Sequence, residues 1–134
     1  MKEEHRNGGD FDFLIGKSIK KVNYTERKGW DAGHWELICN DNTKIIVEEN
    51  EGCGGCGNGW SSIDLKKLEE NNNVITNIEV KYAKDCWECD EFTMFVYYED
   101  NTINQLNGDD GYGNGYYGGG FYITITNVES QENI

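Results

Sequence analysis

The sequence predicts an α+β fold, a mainly antiparallel sheet of about seven strands with one or two short helices. Three observations predict it. Short runs alternate apolar and polar residues, the period of a strand with one buried face. Clusters of Asn, Asp and Gly, such as Asn40-Asp-Asn-Thr43, separate those runs and turn the chain by bonding their own backbone. Two C-x-x-C brackets, Cys53-Gly-Gly-Cys56 and Cys86-Trp-Glu-Cys89, interrupt the strand pattern and suit tight turns.

Taken in order, residues 1–9 read as a flexible N-terminal tail with Gly8-Gly9 as its hinge, and residues 10–134 as a single domain. Asp10 to Ile15 suits one helical turn, capped by Asp10, ended by Gly16, with Phe11, Leu14 and Ile15 inward. Ser18 to Tyr24 is the first strand, with Ile19 and Val22 buried; His34 to Cys39 and Lys44 to Glu49 complete a meander. After the first bracket, Ser61 or Ser62 caps a short helix running to about Asn71, with Ile63, Leu65 and Leu68 inward. Val74 to Ala83 alternates with a slip in its period. Glu91 to Tyr98, dense in aromatic and β-branched residues, is the clearest strand. Thr102 to Leu106 and Phe121 to Val128 are the last two.

The brackets carry the most specific chemistry. Four thiolates from two turns suit tetrahedral zinc, which takes sulfur ligands at about 2.3 Å. The 29 residues between Cys56 and Cys86 leave room for a helix and a strand between the halves. Gly52, Gly54, Gly55 and Gly57 give the first turn its dihedral freedom. The expectation is a four-cysteine zinc-knuckle pair, Cys53, Cys56, Cys86 and Cys89, holding one structural ion and stabilising the domain. Four protein sulfurs leave no position for a catalytic water. Disulfides and unconnected thiols are the alternatives; a redox role fits poorly, because Asp85, Glu88, Asp90 and Glu91 would raise a thiol pKa. Cys39, in an apolar run, reads as a buried inert thiol.

Length and charge bound the rest. The 134 residues suffice for one core. No apolar run spans a membrane and Met1 to Asp10 has no apolar signal region, so paired cysteines point to the cytoplasm, where thiols stay reduced. The net charge of −13 is uneven: Met1 to Lys84 has 15 acids and 12 bases, whereas Asp85 to Ile134 has 10 acids and no Lys or Arg. A negative surface by itself serves solubility and a monomeric state. Such an anionic half also steers a protein to a basic partner and disfavours direct nucleic-acid binding, which needs phosphate-neutralising bases. The candidate partner surface comprises Asp85, Glu88, Asp90 and Glu91 around the second bracket, Glu99 and Asp100 at a turn, and Asp109 and Asp110.

The segment Asn107 to Gly120 lacks the terminal acid of a calcium loop and the Lys of a phosphate cradle. It reads as a long hairpin loop in which Tyr112, Tyr116 and Tyr117 are stiff contact residues for a partner. No Ser or Cys has an evident His base, and no carboxylates pair as acid and base; the expectation is no catalysis.

Leu14-Ile-Gly-Lys-Ser-Ile-Lys-Lys-Val22, the hairpin around Asp41-Asn-Thr43, the cysteine-bearing loop and Asn114-Gly-Tyr-Tyr-Gly-Gly-Gly-Phe-Tyr-Ile-Thr-Ile125 together resemble a family of small phage proteins. The acidic, cysteine-clustered character looks like that of phage-encoded anti-CRISPR proteins acting on type II-A Cas9. The resemblance implies a stoichiometric Cas9 inhibitor in the host bacterial cytoplasm that blocks guide or target-DNA loading. A host-takeover protein aimed at another basic nucleic-acid-handling protein and a nucleotide-sponge small-molecule binder are the other readings.

Overall fold

A computed structural model of the chain describes residues 2–7, 11–26, 33–49, 61–82, 91–109 and 120–127, with backbone alone at 2–7 and 127. The described strands are β1 (Lys2–Asn7), β2 (Ile19–Thr25), β3 (His34–Cys39), β4 (Thr43–Glu48), β5 (Ser62–Ile63), β6 (Ile75–Tyr82), β7 (Glu91–Tyr98), β8 (Ile103–Asp109) and β9 (Phe121–Asn127). They form two antiparallel sheets, one of five strands in the order β1-β9-β4-β3-β2 and one of four in the order β5-β8-β7-β6. The fold is therefore mainly β. The count exceeds the expected seven because Lys2–Asn7, expected as a tail, pairs with β9, and because Ser62–Ile63 pairs with the end of β8.

The helical expectation also changes. Among the described residues the helices are two short 3-10 turns, Asp12–Leu14 and Lys66–Glu70. Leu65 and Leu68 are both buried and lie three apart, which is the 3-10 repeat; Ile63 and Leu65 lie two apart, which is the strand repeat. A continuous α-helix from Ser61 would have scattered these side chains around its axis. In the first turn Phe11 and Leu14 are buried as expected, but Ile15 points out, and Gly16 at φ +90° reverses the chain.

The buried faces of both sheets share one core. Leu37, Ile45, Val47 and Ile123 come from the larger sheet, Ile75, Met94, Val96 and Leu106 from the smaller. Phe11 and Phe121 meet edge-on at 5.4 Å between centroids. Two bulges reconcile the sequence periods with this core. Ile19 and Val22 lie three apart yet both are buried, because the register shifts between Ile19 and Lys21. The slip in the sixth strand is the same device, between Ile75 and Asn77.

Hairpin turns follow the local chemistry. Asp41 accepts a hydrogen bond from the Thr43 N–H at 3.0 Å and an ion pair from Lys17 at 2.9 Å, with Asn42 at φ 66°. Burial alone would raise the Asp41 pKa, but the bonds from Lys17 and Thr43 outweigh it and hold the carboxyl below its usual value. Asp100 does the same work in the β7–β8 turn, accepting from the Thr102 N–H at 3.1 Å and from Asn73 at 2.9 Å.

Candidate functional site

The strand ends that flank segments 50–60 (β4 and β5), 83–90 (β6 and β7) and 110–119 (β8 and β9) lie at one end of the molecule. The strand ends that flank them are tied together. Ser62 and Glu91 both sit opposite Asp109 in the ladder, so the ends next to the two cysteine segments are two strand spacings apart, about 10 Å. Ser61 Oγ donates to the Gly120 carbonyl at 2.6 Å. Glu49 joins the two sheets, accepting from the Tyr24 hydroxyl at 2.7 Å and from the Ile63 N–H at 3.2 Å. Nothing in the sequence distinguishes Glu49 from its neighbour Glu48, since its role depends on the second sheet arriving beside it.

An open cavity of about 680 Å³ occupies this end of the smaller sheet. Lys81, Tyr82, Glu91, Phe92 and Asp109 are among the residues that line it. Tyr82 and Phe92, cross-strand partners, pack tilted at 55° with centroids 5.7 Å apart, and Lys81 Nζ lies over the Phe95 ring, 5.6 Å from its centroid. Gly108 sits opposite Phe92, and a Cβ there would meet the ring tip at 2.5 Å. This is why β8 runs on past Leu106, where alternation ends: a glycine in the strand makes room for a ring from its neighbour. Gly108→Val is expected to displace Phe92 and cost about 1–3 kcal/mol, read as a lower urea midpoint with an unchanged slope.

The described acids do not form one patch. Glu91 and Asp109 face each other across the β7–β8 ladder at the cavity end. Glu99 and Asp100 lie at the opposite end of the same strands, about 25 Å away along β7. Asp100 is committed to its turn: bonds from the Thr102 side chain, first, and the Thr102 N–H hold its pKa below the usual carboxylate value. Like charges placed directly opposite, as at Glu91 and Asp109, cost stability locally, and Lys81 lines the same cavity. Asp85, Glu88, Asp90, Asp110, Tyr112, Tyr116 and Tyr117 lie outside the described residues, as do Cys53, Cys56, Cys86 and Cys89.

Among the described residues no group of three His, Cys, Asp or Glu side chains could hold a metal. Cys39 is buried, and burial first, then Asp41, pushes its thiol up to about 11, so it is not a thiolate at neutral pH. No described helix is long and apolar enough to cross a membrane.

The chain belongs to the family described as a domain of unknown function, DUF7448, whose model matches residues 12–123. No curated protein and no solved structure matches it.

Proposed function

We propose that this protein acts by binding and not by catalysis, as an inhibitor of a basic, nucleic-acid-handling protein, with type II-A Cas9 as the partner the sequence resemblance implies. The observation that carries this reading is the charge of the last 50 residues, Asp85 to Ile134, which hold 10 acids and no Lys or Arg. Cas9 holds its guide–target duplex in a positively charged channel, and an anionic surface competes for such a channel. The cavity end, with Glu91 opposite Asp109, is the favoured contact face. The turn that holds Glu99 and Asp100 is a separate patch.

Zinc has a structural place in this reading. Cys53 and Cys56 belong to segment 50–60, and Cys86 and Cys89 to segment 83–90, whose flanking strand ends are joined through Asp109. Four thiolates drawn from these two segments would close the coordination shell of one ion and brace the acidic end. A nucleotide-sponge reading draws on the cavity and its Tyr82–Phe92 pair, but Glu91 and Asp109 outnumber Lys81 on its wall and disfavour a phosphate. A host-takeover protein with a different basic target would use the same acidic face.

The test is DNA cleavage by a type II-A Cas9, with purified protein added before or after target DNA. Inhibition when it is added first, weakened by Glu91→Lys and by added salt, is the expected result. Inhibition in either order would indicate a block on cleavage instead of loading. No inhibition at large excess would discard Cas9 as the partner.

A further inference from the structure

We propose that the outer edge of β6 pairs with the same edge of a second copy of this chain, antiparallel and centred on Val80. The two four-stranded sheets would then run together as one.

The ladder shows which backbone groups face outward. The β7–β8 hairpin closes with the Tyr98 N–H donating to the Thr102 carbonyl at 3.0 Å. By the alternation of an antiparallel ladder, even-numbered residues of β7 then bond to β8, and Thr93, Phe95 and Tyr97 bond to β6. Their partners there are Lys81, Glu79 and Asn77. Ile78 and Val80 are left to present their N–H and C=O groups to the outside, with no partner strand among the described residues. Ile75, beyond the bulge, also faces outward, and the chain itself pairs with it: its N–H donates to the Lys17 carbonyl and its carbonyl accepts from the Gly16 N–H, both at 2.8 Å. The edge accepts strand-like partners, and the intramolecular partner stops short of Ile78.

The edge of the larger sheet is treated differently. At β2 the Val22 N–H is taken by the Glu69 carboxylate at 3.1 Å and the Val22 carbonyl by Lys66 Nζ at 3.3 Å, while Lys66 and Glu69 pair at 2.7 Å. That plug is a usual protection of a strand edge. Among the described residues nothing plugs β6 at Val80, and β5, at the far side of its sheet, has two residues.

Charge then selects the register. With Val80 opposite its own copy, Glu79 faces the partner's Lys81 and Lys81 faces the partner's Glu79. Both side chains are exposed, and in the new ladder between the copies both stand at non-hydrogen-bonded positions, where facing side chains are closest. Slipping one step either way, with backbone bonding kept, sets Glu79 opposite the partner's Glu79 or Lys81 opposite the partner's Lys81, which opposes pairing. Glu79 and Lys81 of one chain lie 3.3 Å apart on the same outer face of β6. A charged edge of one sign would repel its copy; this one complements it. The net charge of −13 on each copy opposes association at long range, and about 0.15 M salt screens it beyond about 8 Å.

The experiment is sedimentation of the full chain at about 0.15 M salt across a micromolar concentration series. A concentration-dependent dimer is expected for the natural sequence. Glu79→Lys and Lys81→Glu should each weaken it about tenfold or more, since each turns two attractive facing pairs into repulsive ones. An equimolar mixture of the two variants should restore the dimer, because every facing pair is then opposite in charge. A chain monomeric throughout the series overturns the proposal. So does a dimer indifferent to either substitution, or a pair of monomeric variants that fail to associate when mixed.

Discussion

Cys86→Ser is expected to abolish the proposed zinc site and, with it, most of the stability of the fold. A structural zinc site supplies about 10–16 kcal/mol of folding free energy in small zinc peptides, against about 5–15 kcal/mol for the whole of an ordinary domain. The loss should be felt first at the cavity end, where Ser62, Glu91 and Asp109 share a ladder and Glu49 joins the sheets. At the opposite end, the β3–β4 and β7–β8 turns keep their own bonds through Asp41 and Asp100. Amide exchange should therefore rise most in β5 and in the ends of β6 and β8. Metal content per chain and the unfolding midpoint, with and without a chelator, check the account. A natural protein purified without zinc under metal-replete conditions, or a metal-free Cys86→Ser with an unchanged midpoint, would contradict it.

Phe121→Ala is expected to cost about 3–5 kcal/mol, independently of any metal. Phe121 is fully buried, opens the strand that lies between β4 and β1, and meets Phe11 edge-on. Truncating it leaves a cavity beside Phe11 in the shared, close-packed core. The midpoint should fall by roughly 10–20 °C. Ile103→Ala, at a side chain 58% exposed, is the control and should change stability by less than about 0.5 kcal/mol. Equal effects of the two substitutions would mean that Phe121 is not at the centre of the core.

Strand positions were legible in the sequence because alternation and turn chemistry act over a few residues. His34–Cys39 and Glu91–Tyr98 have the bounds their patterns predict, and the Asn40 to Thr43 turn is held by Asp41 as its composition implies. The slipped period after Val74 was a true signal, the trace of a bulge. The stretch after Ser61 misled because a serine before spaced leucines fits a capped helix equally well, and what decides against it is the end of β8, which lies far off in the chain.

The sequence by itself determined the mainly antiparallel character, the hairpin turns, the cysteine spacing and the charge imbalance, since each is written in residue type and near spacing. Tertiary structure alone decided how nine described strands divide into two sheets and that β9 returns between β4 and β1. It also decided that the ends flanking both cysteine segments meet at Asp109, that Gly108 yields its space to Phe92, and that β2 is plugged while no described residue plugs Val80. The reason is that strand partners are chosen by packing across one shared core, and two residues far apart in the chain become neighbours only once that core has formed.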